Sequence, residues 1–298
     1  MSESENHIIR IESWLLASRP KTLLAAVVPV MVGSALAVSE GNFNFPVAVA
    51  AFLCSVLIQI GTNFTNDLYD FYSGADNASR KGPQRVLAAG LITPAEMKAG
   101  IIFIFLSAFL IGLYLVSIGG LIILFIGVAS IIAGIAYTAG PYPLAYHGLG
   151  DVFVFIFFGI VGTVFTHYLH SGELSAVAFW ASLPVGALIT NILVVNNYRD
   201  LEEDKDAHKN TLVVILGRAF ARYQYVFMIV LSFTIPLFLF FIFNVNGWIF
   251  LPYLTLPLAY KLVKMIYTLH GNDLNKTLEL TAKMSALYGL LFSFGLIF

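Results

Sequence analysis

Two polar clusters interrupt an otherwise apolar chain, and their side chains are of the kind that hold a metal ion against a phosphate. The first reads Asn63-Phe-Thr-Asn66-Asp67-Leu-Tyr-Asp70-Phe-Tyr-Ser-Gly74-Ala-Asp76, and the second Asn196-Asn197-Tyr-Arg199-Asp200-Leu-Glu-Glu-Asp204. If the helix carrying the first cluster continues past its apolar part, Asn63, Asp67 and Asp70 fall at i, i+4 and i+7 on one face. Asn196, Asp200 and Asp204 fall at i, i+4 and i+8, again on one face of a helix. Carboxylates gathered on facing helices repel and raise one another's pKa, a penalty that a divalent cation removes. Asp and Asn oxygens are hard ligands suited to Mg²⁺, which takes one or two carboxylates together with substrate phosphates. Arg80, Lys81 and Arg85 follow the first cluster, and Lys205 and Lys209 follow the second. Carboxylates alone suit a cation; carboxylates with metal ions and nearby Lys or Arg suit a diphosphate.

A single stripe of this kind reads equally well as the ordinary polar end of a helix. Two matched stripes, each with Asn four residues before Asp, favour a functional site. Asp76, Glu202, Glu203 and Asp206 stay open between ligand and solvated loop charge.

The elements that must position these residues are membrane spans. The chain has 298 residues, 59% hydrophobic and 11% charged, where soluble domains carry about 25% charged residues. Apolar runs of near-spanning length occur at 22–39, 46–66, 99–118, 120–138, 152–169, 174–198 and 223–245, with weaker ones at 247–269 and 278–298. The expected architecture is all-α, a polytopic bundle of about nine transmembrane helices forming one domain over residues 1–298. The two stripes sit at the same ends of the second and sixth spans, which suggests an internal pseudo-repeat of four helices. The run 22–39 also resembles a signal peptide, with Ala35-Leu36-Ala37 as a cleavage-like triplet. The long flank before it favours an uncleaved first span.

Charge placement tests the span count independently. With the N-terminus in the cytoplasm, the outer connections at 40–45, 119, 170–173 and 246 and the C-terminus contain no Lys or Arg. All sixteen lie on the other side, as the positive-inside rule requires. The net charge of −1 carries no bulk field toward nucleic acid. Cys54 stands alone in an apolar run and reads as packing. The six histidines show no metal-ligand spacing; His167 and His170 face the outer side and read as interfacial.

The clusters resemble the aspartate-rich motifs of the UbiA superfamily of intramembrane prenyltransferases. Asn66, Asp67 and Asp70 match that family's Asn-Asp-x-x-Asp-x-x-x-Asp; its last position is Gly74 here, with Asp76 two residues later. Asp200 and Asp204 match its second motif, Asp-x-x-x-Asp. The resemblance also covers Ser18-Arg19-Pro20-Lys21-Thr22, Tyr137-Thr-Ala-Gly140-Pro141 and Gly148-Leu149-Gly150-Asp151. Asp70-x-x-x-Gly74-x-Asp76, Gly82-Pro83-x-Arg85, Asn196-Asn197-x-Arg199-Asp200 and Lys209-Asn210-Thr211-Leu212 are most similar to the branch that prenylates 1,4-dihydroxy-2-naphthoate in menaquinone synthesis.

The resemblance implies an enzyme of a bacterial inner membrane. It would transfer a polyprenyl group from a polyprenyl diphosphate to that aromatic acid, with Mg²⁺ held by Asp67, Asp70, Asp200 and Asp204. Asn63, Asn66 and Asp76 would add oxygens near the diphosphate. Lys209 and Arg85 would neutralise it, Tyr137 would face the allylic cation, and Arg19 or Lys21 would hold the acceptor carboxylate. Arg199 is open between substrate and a pairing with Glu203. The prenyl tail and the surrounding lipid imply a lateral opening between helices. Two other readings remain: a related transferase acting on 4-hydroxybenzoate or homogentisate, and a cation-coupled transporter, which would want its carboxylates near the midplane.

Overall fold

The computed structural model describes residues 3–74 and 85–298, and among these there is no β-strand. Among the described residues eight helical segments are long and apolar enough to cross a membrane, and a ninth, Leu121–Ala136, is shorter. The expected all-α bundle of about nine spans is the architecture observed, and the chain is a multi-pass membrane protein.

The residues before the first span form a helix of their own, α1 (Glu3–Ser18). It bends into α2 (Pro20–Ser39) at Arg19, whose φ of 51° is left-handed. Ile11, Leu15 and Leu16 of α1 are exposed, while Trp14 packs on Phe64. The later spans are α3 (Phe45–Tyr72), α4 (Pro94–Gly119) and α5 (Leu121–Ala136). A broken helix follows, α6 (Gly150–Val154) and α7 (Gly162–Ser171), joined by a π-helical turn, Phe155–Val161. Next come α8 (Ala176–Arg199), a short α9 (Leu201–Asp206) and α10 (Leu212–Phe243). The 3₁₀ stretch Gly247–Thr255 runs into α11 (Leu256–Thr268), and α12 (Leu274–Ile297) ends the chain.

Small residues allow the spans to approach closely, as membrane packing requires where no hydrophobic force separates helix from lipid. A Cβ on Gly159 would come within 2.7 Å of Gly186 Cα, where the fifth and sixth spans cross. One on Gly33 would strike the Thr163 carbonyl at 2.5 Å, so α2 lies hard against α7. α3 makes its broadest contact with α4, and α8, four spans later, with α10. The ends segregate as the charge pattern requires. Lys21 meets Glu279 at one end, and Trp248 meets Phe298 at the other.

Two sequence expectations change. The second stripe is not one straight helix: α8 ends at Arg199, and Asp200, with ψ of 10°, turns the chain into α9. The backbone hydrogen bonds from Asp200 N to Asn196 O (3.0 Å) and from Asp204 N to Asp200 O (2.8 Å) flank the bend. The polar stretch 199–222, read as a long loop, is largely helical. Thr211 caps α10 by accepting from Val214 N, and the apolar run from Leu212 starts that helix eleven residues before the expected 223. Gly217, with φ of 82°, then kinks it.

Candidate active site

The helix bearing the first stripe does continue: α3 runs to Tyr72 and carries Asn63, Asp67 and Asp70 on one buried face. Asp67, Asp70, Asp200 and Asp204 are 2%, 4%, 5% and 8% exposed. Carboxylates this buried need compensating partners, and each has one. Asp67 is bonded by Arg19 and, at 2.6 Å, by Nη1 of Arg85. Arg85 Nη2 lies 3.8 Å from Asp70 Oδ2, and the Tyr146 hydroxyl donates to Asp70 Oδ1 at 2.9 Å. Arg199 grips Asp200 with Nε at 2.6 Å and Nη2 at 2.7 Å. Lys209 Nζ stands 3.7 Å from Asp204.

All four aspartates line one end of a single cavity of about 910 Å³. Two loops bring the motifs together. The connection after α5 is stitched to the connection after α9 by Asn210 N donating to Tyr146 O at 3.1 Å, and Lys209 Nζ lies 5.4 Å from the centre of the Tyr146 ring. Tyr146 was not singled out by spacing; it lies seventy-six residues from Asp70, and only the chain's folding joins them. Burial, and then the Asp70 charge, holds its hydroxyl above the ordinary tyrosine range, so it remains a protonated donor at neutral pH.

The other expected residues divide. Tyr137 lines the cavity and packs on Gly150, where a Cβ would fall 3.0 Å from its Oη. Asn66 lines it too, its Oδ1 accepting from Thr138 at 2.8 Å. Asn63 ties α3 to the α1–α2 bend, donating to Ser18 O at 2.9 Å and Thr22 Oγ1 at 3.1 Å. Arg199 pairs with Asp200, not with Glu203, and also reaches Asn275 and Asn196; its guanidinium is one residue from Asp200, so a planar fork closes on that carboxylate with no further chain bending. Lys21 lies at the cavity mouth, largely exposed, 3.4 Å from Glu279. Asp76, Arg80 and Lys81 lie outside the described residues. At the opposite end His167 Nε2 pairs with Glu40 at 2.7 Å, while His170 meets Ser34 and Asn44.

Among the described residues no three His, Cys, Asp or Glu side chains converge as a ready metal cage. Two carboxylate pairs facing one cavity are hard oxygen donors of the kind Mg²⁺ takes when phosphate oxygens complete its shell, and the Arg and Lys groups beside them suit the phosphates. Below the polar end the wall is apolar, with Phe157, Phe158, Val161, Ile189 and Leu193 among its residues. Such a site can hold a diphosphate at one end and a hydrocarbon beneath it. The aspartates sit at one end of the cavity, not midway along the spans, which disfavours a cation-coupled transporter.

Fold and site together define an intramembrane prenyltransferase. The chain belongs to the UbiA prenyltransferase family, whose model matches residues 26–287. It is 37% identical to the 1,4-dihydroxy-2-naphthoate octaprenyltransferase of Escherichia coli K12, over 98% of this chain and 97% of that protein. It is 28% identical to the enzyme of the same name from Bacillus subtilis 168, over 95% and 91% of the two chains. The fold is that of a UbiA homolog from Aeropyrum pernix K1, with a TM-score of 0.71 at 14% identity over 92% of this chain and 97% of that one. A UbiA homolog from Archaeoglobus fulgidus, solved bound to GPP and Mg²⁺, matches with a TM-score of 0.68 at 17% identity over 96% and 99%.

Proposed function

We propose that this chain, a single prenyltransferase domain over residues 1–298, transfers a polyprenyl group from a polyprenyl diphosphate to 1,4-dihydroxy-2-naphthoate in menaquinone synthesis. The observation that carries this is the cavity itself: two buried aspartate pairs, each matched by cationic groups, close one end of an otherwise apolar space. The names of the full-length relatives support the acceptor.

Asp67 and Asp70, with Asp200 and Asp204, would hold Mg²⁺, which would supply positive charge to the leaving diphosphate. Arg85, Arg19 and Lys209 add fixed positive charge at the same end, and the Tyr146 hydroxyl donates a hydrogen bond there. Charge already in position at the leaving group stabilises the transition state without reorganisation. The allylic C–O bond breaks with its electron pair leaving on the diphosphate. The apolar wall excludes water from the resulting allylic cation, and Tyr137, which lines the cavity, would stabilise it. Electron-rich ring carbon then forms the new C–C bond, and loss of the carboxyl as CO₂ returns the electron pair to the ring. Arg19, which lines the cavity beside Asp67, would hold the acceptor carboxylate or the diphosphate. Lys21, paired with Glu279 at the mouth, would meet the incoming acid.

The reading places the protein in a bacterial inner membrane, N-terminus in the cytoplasm, with lipid around a lateral opening for the tail. Purified protein incubated with Mg²⁺, an octaprenyl diphosphate and 1,4-dihydroxy-2-naphthoate should yield the decarboxylated prenyl naphthoquinol by mass. Absence of any prenylated product from this acid and from 4-hydroxybenzoate or homogentisate would sink it.

A further inference from the structure

Asp151 takes no part in the clamp around the diphosphate. It stands in the first turn of α6, is 4% exposed and lines the same cavity as the four paired aspartates. Those four each carry an Arg, Lys or Tyr partner. Asp151 is different. Among the described residues its side chain receives one hydrogen bond from another residue, from the Gln224 amide of α10 to Oδ1 at 3.2 Å. An amide orients a carboxylate and leaves its charge in place. Gln224 is committed to that contact, its Oε1 being buried without a partner among the described residues. A buried carboxylate without a cation is costly to keep. One that also faces a cleft is suited to proton transfer.

The connection between α5 and α6 fixes where this carboxylate stands. Ala145 N donates to Tyr137 O at 2.9 Å, and Leu149 N to Leu144 O at 3.1 Å. Gly148, with φ of 72°, then turns the chain toward α6. A Cβ on Gly150 would lie 3.0 Å from Tyr137 Oη and 3.5 Å from Leu193 Cδ2, so the residue before Asp151 is packed against that tyrosine. The same connection carries Tyr146, which donates to Asp70. One loop therefore runs from the diphosphate clamp, past the tyrosine assigned to the allylic cation, to Asp151. A ring that attacks a cation held at Tyr137 lies beside this part of the wall.

We propose that Asp151 is the general base for the acceptor: it takes the proton of the ring hydroxyl next to the carboxylate as the ring attacks, and returns it after carbon dioxide has left. This rests on the prenyltransferase reading of the cavity. The steps balance. The ring carbon bearing the carboxylate forms the bond to the allylic carbon, using a ring π pair. The neighbouring hydroxyl loses its proton to Asp151, and the O–H pair closes a C=O bond. The product is a carboxylate β to a ketone. Its bond to the ring then breaks, carbon dioxide leaves, and the electron pair forms an enolate. The enolate oxygen recovers the proton from Asp151. No proton passes to water, which suits a site walled against it. A positioned acid–base group of this kind contributes about 10²–10⁴-fold in rate.

The test uses Asp151→Asn and Asp151→Ser, both neutral, with Asp151→Glu as the charged control. Each is first checked as a monodisperse protein in detergent, and two neutral variants guard against one that fails to fold. With 1,4-dihydroxy-2-naphthoate, octaprenyl diphosphate and Mg²⁺, kcat of the neutral variants should fall about a hundredfold or more at neutral pH. The KM for the diphosphate should stay within about threefold, and Asp151→Glu should retain more turnover than either. The deficit should shrink by up to about tenfold per pH unit on the alkaline side, as the acceptor hydroxyl ionises unaided. Tyr137 titrates beside Asp151, and Arg19, Asp70 and Asp204 act on Tyr137 in turn; Gln224 of α10 and Leu193 of α8 carry no charge. All are the same in every variant, so their titration cancels in the ratio to wild type. A neutral variant within about threefold of wild-type turnover overturns the proposal. So does a deficit that is equal at every pH, the mark of a merely structural contact. A wild-type protein that prenylates no acceptor defeats the functional reading instead.

Discussion

Arg85 bridges to the first aspartate motif through Asp67, with Nη1 2.6 Å from Asp67 Oδ1 and its other terminal nitrogen 3.8 Å from Asp70. One planar guanidinium thus faces both carboxylates of the motif, where a bound diphosphate would compete with them for it. Replacing Arg85 by Ala should weaken use of the prenyl diphosphate by about 2 kcal/mol or more, the usual cost of removing one partner from a buried, hydrogen-bonded charge pair. A KM for the diphosphate within threefold of wild type would refute this role.

Asp67→Asn and Asp200→Asn should each remove nearly all turnover while the protein still inserts. Each takes a full negative charge from a site that must hold both cations and a multiply charged leaving group. A loss of about 3 kcal/mol, roughly a hundredfold in rate, is the scale for such groups. Near-normal turnover by either variant would dismantle the two-sided clamp. Chelation of divalent cations should likewise abolish the wild-type reaction, and added Mg²⁺ should restore it.

Tyr146→Phe isolates a single hydrogen bond. Its hydroxyl donates to Asp70 at 2.9 Å and stays protonated through neutral pH, because burial and the Asp70 charge raise its pKa. Hydrogen bonds to charged groups are worth about 1.5–3 kcal/mol. The rate should therefore drop by an amount that does not change across the neutral range. A deficit that appears only on one side of that range would mean the hydroxyl titrates in the working enzyme.

The topology has its own test. All sixteen Lys and Arg fall on one side when the N-terminus is cytoplasmic, and the end of α12 meets Trp248 at the opposite end of the bundle. A C-terminal reporter that works only in the cytoplasm should stay silent. Activity from it would reverse the orientation.

The acceptor is tested by competition. At fixed Mg²⁺ and donor, kcat/KM should favour 1,4-dihydroxy-2-naphthoate over 4-hydroxybenzoate. Extra apolar ring area contributes at about 25 cal/mol per Å², which assists the bicyclic acid without deciding the matter alone. A preference for the monocyclic acid would leave the family membership intact and change the substrate.

Much of this molecule is a local property of its sequence. Spans need runs of apolar residues, because unsatisfied backbone groups are intolerable in lipid and force a helix. The span count was therefore legible without coordinates, and the Lys and Arg bias adds an expected orientation. Asn63, Asp67 and Asp70 share a face because 3.6 residues make a turn, and the fold keeps that face buried. What only the tertiary structure decided depends on partners far apart in the chain, or on a single dihedral that periodicity does not encode. Tyr146 reaches Asp70 across seventy-six residues. Asp200 bends α8 into α9 through one backbone angle, and Arg199 closes on it rather than on Glu203. One apolar cluster is assembled from different spans, bringing Leu115 and Ile123 against Leu169 and Cys54. Helical periodicity is set within a few residues by backbone geometry. The depth of a cavity is set by which helices meet, and that is a matter of packing across the whole bundle.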